Sequence, residues 1–182
     1  MTQKEQIKTS KFLSLVLRHR PDTIGLTLDK NGWADTKELL EKVNSNDLSL
    51  TFDELKTVVE NNDKKRFLFS ADFSKIRANQ GHSIEVDLEL KEKVPPEKLF
   101  HGTAEKNLLS IQEKGLIKGQ RQHVHLSSEK ETAYQVGKRY GKPIVLTINT
   151  GEMHRQGQKF FQSQNGVWLV DRVLPTFITF PS

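Results

Sequence analysis

Cysteine is absent from this 182-residue chain, which excludes disulfides and thiolate metal sites. The sequence also lacks any apolar run near the ~20 residues that a membrane-spanning helix needs. Residues 1–12 have no apolar core of the kind found in signal peptides. Together these absences predict a cytoplasmic protein.

Basic residues exceed acidic ones by 28 to 23, which gives a formal net charge of +5 and a pI near 9.3. This excess mildly favours a polyanionic partner such as a nucleic acid. A solvated basic surface explains the charge equally simply, so charge alone does not settle the function.

A helix is predicted near the N-terminus, where Phe12 to Leu17 carry apolar residues at helical spacing. Thr9 is a candidate N-cap and Pro21 a stop signal. Arg18 and His19 then fall in the last turn, where the helix dipole favours cations. Helix capping is therefore an adequate explanation of Arg18 and His19 until another motif points elsewhere.

Two further helices and a hairpin are predicted in the first half. Asp35 with Glu38, and Thr51 with Glu54, resemble capping boxes that start helices. The turn at 61–63 leads into two short strands, 66–69 and 75–79. Three helices and a small hairpin predict a winged helix-turn-helix.

The charge-rich stretch 85–96 ends in Val94-Pro95-Pro96 and is the candidate domain boundary. A strand over 83–90 leads into it. We therefore divide the chain into domains 1–92 and 93–182.

The second half alternates short strands and helices, which together with the first half predicts an α+β protein. A strand ends at His101, and Gly102-Thr103 is expected to open a helix that Gly115 ends. Asn165-Gly166 is a strong hairpin signal. The other predicted elements are a strand at 124–126, a helix from Ser128 to about Gly141, a strand at 144–148, and hairpin strands at 160–163 and 167–170.

Residues 76–83, Ile-Arg-Ala-Asn-Gln-Gly-His-Ser, are hard to explain by packing. Gly81 permits close approach of backbone to a ligand, and the polar side chains can bind phosphate or ribose. A polar surface loop explains the run about equally well.

His101-Gly102-Thr103 can offer helix N-terminal amides to a carboxamide or phosphate. His123 and His125, two apart in a strand, would share one face. That spacing suits a metal, but without cysteine or a nearby carboxylate ligand we predict no metal site.

The chain resembles the RNA 2′-phosphotransferase family, because its motifs occur in that family's order over nearly the whole sequence. Asn31-Gly32-Trp33 is also similar. The motifs are Leu17-Arg18-His19, Ile76 to Ser83, His101-Gly102-Thr103, Arg121 with Val124 to Ser127, and Gly166-Val167-Trp168-Leu169.

The resemblance implies a winged-helix lobe that takes RNA, most plausibly tRNA, and an ADP-ribosyltransferase-like mixed β lobe that takes NAD⁺. It implies a monomer in which NAD⁺ is a co-substrate. It also implies catalytic residues at Arg18, His19, Arg77 and Arg121, and NAD⁺ contacts at His101, Gly102, Thr103, His125 and Ser127.

These residue types suit phosphate chemistry. A phosphomonoester is nearly a dianion at neutral pH, and guanidinium groups bind it bidentately without losing their charge. His19 carries an imidazole, the side chain that most often serves as a general acid. Val167 stands where many ADP-ribosyltransferases have a glutamate that activates a neutral acceptor, and an anionic phosphate needs no such base.

Two other functions stay open at this stage. A non-catalytic nucleic-acid binder would use the winged helix alone and would not bind NAD⁺. An ADP-ribosyltransferase that modifies other acceptors would keep the NAD⁺ site without needing three converging arginines.

Overall fold

The computed structural model describes residues 1–46, 49–62 and 64–181. The chain forms two compact units, Met1–Glu89 and Leu90–Ser182, each with its own buried apolar cluster. Within the described residues there are six α-helices and several small antiparallel sheets, so the predicted α+β class is confirmed. None of the described helices is both long and apolar enough to span a membrane.

The first unit contains three helices and a three-stranded antiparallel sheet in the order β1-β3-β2. The predicted helices and hairpin are confirmed in kind. The turn predicted at 61–63 includes Asp63, which lies outside the described residues. The elements are α1 (Gln3–Arg18), β1 (Ala34–Asp35), α2 (Thr36–Asn44), α3 (Phe52–Glu60), β2 (Phe67–Phe69) and β3 (Lys75–Ala78).

Helix α1 begins earlier than predicted. Thr2, not Thr9, is its N-cap, and it forms a reciprocal capping box with Glu5. Thr9 is buried inside the helix, so its predicted capping role was wrong. The predicted end is confirmed, since His19 is the C-cap and Pro21 starts a separate 3₁₀ turn.

The capping box predicted for α3 is confirmed, because Thr51 and Glu54 each bond the other's backbone N–H. At α2 only half of it forms. Asp35 accepts the Glu38 N–H at 2.9 Å, while the Glu38 carboxylate accepts the N–H of Thr27 at 3.2 Å. Both caps still fix the start of their helices, and the apolar faces of all three helices fill the first core.

The strand predicted over 83–90 is absent from the structure. Val86 and Leu88 are buried and their neighbours exposed, which produced the alternating pattern of a strand. Asp87 instead bonds the 30–31 turn, donating its N–H to Lys30 O and accepting from the Asn31 amide. Irregular backbone packed on a turn therefore gave the same burial pattern as a strand.

The second unit holds three small antiparallel sheets, ordered β11-β7-β4, β6-β9-β8 and β10-β5. The predicted strands at 124–126 and 144–148, and the hairpin at Asn165-Gly166, are confirmed. The elements are β4 (Leu99–Ala104), α4 (Leu108–Lys114), β5 (Leu116–Ile117), β6 (Val124–Leu126), α5 (Lys130–Gly137), β7 (Pro143–Ile148), α6 (Thr150–Arg155), β8 (Phe161–Gln162), β9 (Trp168–Val170), β10 (Arg172–Val173) and β11 (Ile178–Thr179).

The helix predicted to open at Gly102 was wrong. Strand β4 continues to Ala104, and Gly102 pairs with Val145 of β7. A 3₁₀ turn over Glu105–Asn107 then precedes α4, which ends at Gly115 as predicted. His101-Gly102-Thr103 therefore offers strand backbone rather than helix N-terminal amides.

Gly102 is required by packing against α5. A Cβ at this position would lie 1.6 Å from the carbonyl oxygen of Ala133 and 2.9 Å from the nitrogen of Gly137. Helix α5 is shorter than predicted, and Glu129 rather than Ser128 precedes it, without a side-chain cap.

Candidate functional site

Arg18 and His19 are tied to the segment that follows β3. The Arg18 guanidinium donates to Arg66 O at 3.3 Å and lies 5.8 Å from the centre of the Phe67 ring. Nδ1 of His19 is 2.9 Å from the Ser83 hydroxyl, and the Ser83 N–H donates to Arg18 O. The C-terminus of α1 and the 76–83 run are therefore in direct contact. Neither motif by itself predicted this contact.

Arg77 is a buried cation on β3, only 8% exposed. Its Nη1 donates to Asn31 O at 3.2 Å, and its guanidinium carbon lies 4.5 Å from the centre of the Trp33 ring. Nε is buried, and no described residue accepts a hydrogen bond from it. No described carboxylate forms an ion pair with Arg77 either. Burial lowers the pKa of this guanidinium from its ordinary value.

Gly81 is favoured by its backbone conformation, because its φ of +87° suits glycine. A Cβ there would lie 3.6 Å from Arg18 Nη1, an ordinary contact distance. That Gly81 permits close approach of a ligand stays a prediction.

His82 was not assigned a role from the sequence, yet it is the most buried polar residue of the 76–83 run, at 1% exposure. Neither ring nitrogen has a hydrogen-bond partner among the described residues. Burial, followed by the positive charges of Arg18, His19 and Arg77, lowers its pKa to about 4. The positive charges of all three predicted catalytic residues of this unit therefore act on one buried ring.

His82 should make the first unit acid-sensitive. Its folded pKa of about 4 lies below the ordinary value of 6.5, so between these pH values the unfolded chain binds the extra proton. The stabilisation is complete above pH 6.5 and is lost as the pH falls toward 4, by about 3 kcal/mol for such a shift. Urea unfolding of the wild type and of His82→Phe at pH 7 and pH 4 measures it.

Trp33 fluorescence in a Trp168→Phe background reports on the first unit, because each unit contains one of the two tryptophans. The wild type should lose about 3 kcal/mol more than His82→Phe between the two pH values. Equal losses in both proteins would mean that His82 is not buried in its neutral form.

In the second unit, His101 on β4 faces the neighbouring strand β6. Its Nδ1 is 3.0 Å from the His125 carbonyl oxygen, and burial lowers the pKa of His101. The backbones of Phe100 and Ser127 exchange two 2.8 Å hydrogen bonds beside this contact. Three of the predicted NAD⁺-binding residues, His101, His125 and Ser127, are therefore neighbours.

Arg121 is exposed and lies in the second unit, where its Nη1 is 3.4 Å from Nδ1 of His125. His123 is outside β6, and its ring contacts Phe161 with centroids 6.0 Å apart. The prediction that His123 and His125 both lie in this strand was wrong, because His123 stands one residue before it. Within the part of the chain that the structure describes, no three His, Asp or Glu residues are arranged to hold a metal ion.

Gly102 and Thr103 have structural partners. Gly102 contacts α5, and the buried Thr103 hydroxyl accepts a 3.1 Å hydrogen bond from the Asn107 amide. Val167 bonds Ser163 within the hairpin, through Ser163 N–H to Val167 O and Val167 N–H to Ser163 Oγ.

Comparison with known protein families matches residues 4–172 to the "RNA 2′-phosphotransferase, Tpt1 / KptA family". Curated relatives resemble the chain over almost its full length. A probable RNA 2′-phosphotransferase of Flavobacterium johnsoniae is 57% identical over 173 residues, covering 95% of both chains. Proteins of the same description from Fusobacterium nucleatum and Burkholderia pseudomallei are 54% and 53% identical, covering 96% of this chain and 98% and 95% of theirs. The chain belongs to the RNA 2′-phosphotransferase family.

Proposed function

We propose that this chain removes an internal 2′-phosphate from RNA, as at a tRNA splice junction, by transferring it to NAD⁺. Family membership supports the reaction class. The observation that carries the proposal is Arg77, a buried guanidinium with no carboxylate ion pair among the described residues. Besides burial, the charges of Arg18, His19 and Arg77 all lower the pKa of His82. Burying a cation without an ion pair is costly, and a bound phosphate would supply one.

The reaction has two steps. First, a 2′-phosphate oxygen attacks the ribose carbon that carries nicotinamide, and the carbon–nitrogen bond breaks with release of neutral nicotinamide. This gives an ADP-ribosylated RNA 2′-phosphate. Second, the neighbouring ribose hydroxyl attacks phosphorus, and the bond to the RNA 2′-oxygen breaks. The products are RNA with a 2′-hydroxyl and ADP-ribose 1″,2″-cyclic phosphate.

The first unit supplies the groups that meet the phosphate. Arg18 and Arg77 bind the dianion and stabilise charge on its oxygens as phosphorus is attacked. We assign the proton for the departing 2′-oxygen to His19. The Ser83 hydroxyl lies 2.9 Å from Nδ1 of His19 and orients the imidazole.

The second unit supplies the candidate NAD⁺ residues. His101, His125 and Ser127 lie on adjoining backbone, with the His101 ring held by the His125 carbonyl. Strand β4 is at the edge of its sheet, so its backbone can hydrogen-bond a carboxamide such as that of nicotinamide. We assign Gly102 and Thr103 this backbone role, since their side-chain positions are used in packing. Arg121 beside His125 completes the predicted catalytic set.

In this proposal the first unit is a winged helix-turn-helix lobe for RNA, with the β2–β3 hairpin as its wing. The second is an ADP-ribosyltransferase-like lobe for NAD⁺, and the enzyme acts as a monomer in the cytoplasm. We keep 92/93 as the functional boundary, near the end of the first compact unit at Glu89. The three helices and the hairpin of that unit, and the small antiparallel sheets of the other, support this assignment.

The test is incubation of the protein with a 2′-phosphorylated oligonucleotide and NAD⁺, followed by separation of the RNA and nucleotide products. Loss of the 2′-phosphate with formation of ADP-ribose cyclic phosphate is expected. Stable ADP-ribosylated RNA as the final product would instead indicate a transferase that stops after the first step. Binding of RNA with no turnover of NAD⁺ would indicate a non-catalytic binder.

Arg77→Ala should slow both steps by weakening capture of the 2′-phosphate. Loss of hydrogen bonds from a charged group costs about 1.5–3 kcal/mol, or roughly 10- to 150-fold in kcat/KM. Steady-state kinetics at varied RNA concentration measures it. Arg155→Ala is the control, because Arg155 is an exposed arginine paired with Glu97 and Glu152. Equal losses of kcat/KM in the two variants would mean that Arg77 does not bind the 2′-phosphate.

A further inference from the structure

The turn Asn31-Gly32-Trp33 holds Arg77 through a carbonyl and an aromatic ring, and none of the described carboxylates forms an ion pair with it. The Asn31 carbonyl accepts from Nη1 at 3.2 Å, and the Trp33 ring lies 4.5 Å from the guanidinium carbon. A carboxylate would fix the guanidinium too, but it would cancel its charge and occupy the donors that a phosphate needs. A neutral carbonyl and an aromatic ring do neither.

This turn is itself braced from several sides. One carboxylate oxygen of Asp29 accepts the N–H groups of Asn31 and Trp33 at 2.9 and 3.0 Å. The Asn31 amide donates to Asp87 O at 2.8 Å. Gly32 has a φ of +77°, and a Cβ there would lie 3.4 Å from Nε2 of His82. These contacts therefore fix the position of the half-buried Trp33 ring.

We propose that Trp33 is a positioning residue whose ring holds the face of the Arg77 guanidinium, so that the in-plane N–H groups not used by Asn31 remain available to an RNA 2′-phosphate. This inference rests on the proposed function, because it takes the 2′-phosphate as the anion that Arg77 binds. Trp33 acts through Arg77 and needs no contact with RNA.

The test measures phosphate discrimination directly and without NAD⁺. Fluorescence anisotropy gives the dissociation constants of two labelled oligonucleotides that are identical except for one internal 2′-phosphate or 2′-hydroxyl. The dissociation constant of the 2′-hydroxyl oligonucleotide divided by that of the 2′-phosphate oligonucleotide reports the phosphate contact alone. A general loss of active protein affects both constants alike and leaves this ratio unchanged. Circular dichroism shows which variants are folded.

Trp33→Leu keeps an apolar side chain but loses the aromatic face, and it should lower the ratio about tenfold. Trp33→Phe keeps an aromatic ring, so its ratio should stay close to that of the wild type. Phe73→Leu is the matched control in the same unit, since it removes another cation–aromatic contact, that of Lys56 at 5.3 Å, and should leave the ratio unchanged.

An unchanged ratio in Trp33→Leu would overturn the positioning role, and so would equal losses in the Leu and Phe variants. If Trp33→Leu does not fold, Asp29→Ala takes its place, because it keeps the ring and loosens the turn. It should also lower the ratio, and no change there would overturn the role of the turn. A wild-type ratio near one would overturn the proposed phosphate site itself, whereas a high wild-type ratio that Trp33→Leu retains would overturn only the positioning role.

Discussion

Replacing His19 with alanine should let the protein consume NAD⁺ yet leave RNA that carries an ADP-ribosylated 2′-phosphate. The first step expels neutral nicotinamide from a cationic precursor and needs little acid–base help. The second expels an alkoxide-like oxygen, a poor leaving group unless protonated. General acid catalysis typically contributes about 10²–10⁴-fold, so the second step should slow by that order and the intermediate should accumulate.

A time course of RNA species on a denaturing gel measures both steps in one experiment. His154→Ala is the matched control, because His154 lies near the C-terminus of α6 as His19 does in α1, and the proposed mechanism does not use it. It should process RNA without accumulating intermediate. If His19→Ala loses the first step and shows no intermediate at any time, His19 binds or orients the phosphate and is not the acid.

Gly102→Ala should strongly destabilise the second unit, by about 3 kcal/mol or more. The added methyl would lie 1.6 Å from the Ala133 carbonyl oxygen, and this neighbour is backbone that no side-chain rotation can move. Either α5 separates from β4 or β4 loses its pairing with β7. Urea unfolding followed by Trp168 fluorescence in a Trp33→Phe background measures the change.

Gly119→Ala is the matched control. Gly119 has a φ of +59° and no atom within 4 Å of an added Cβ, so it should cost only the ~1 kcal/mol typical of backbone strain. Equal unfolding midpoints for Gly102→Ala and the wild type would contradict the close packing of β4 and α5.

Elements specified by local chemistry were predicted well from the sequence. The Thr51–Glu54 box and the Asn165-Gly166 turn act over two to four residues, and both form as expected. One local signal was missed, because α1 is capped by Thr2 with Glu5 and not by Thr9. Other errors came where distant partners decide the structure. Strand β4 continues past His101 because β7 pairs with it, and no residue near Gly102 signals that partner.

The same limit applies to the candidate site. Arg18, His19 and Arg77 are predicted from their motifs, and besides burial the positive charge of each lowers the pKa of His82. The groups that hold Arg77 are not recognisable in this way, because Asn31 and Trp33 are more than 40 residues away in sequence. The sequence signal for Asn31 and Trp33 is the family resemblance of Asn31-Gly32-Trp33, which does not by itself indicate a contact with Arg77.

The separation of the two apolar clusters has a consequence for synthesis. Every buried residue of the first cluster lies between Leu13 and Ala78, so this half can fold while the second is still being translated. The second cluster includes Leu99 and Ile178, and strand β11 pairs with β7. This second cluster cannot form completely until nearly the whole chain has been synthesised. During that interval Arg18, His19 and Arg77 would already stand in a folded unit, so under the proposed function RNA would meet the chain before NAD⁺ does.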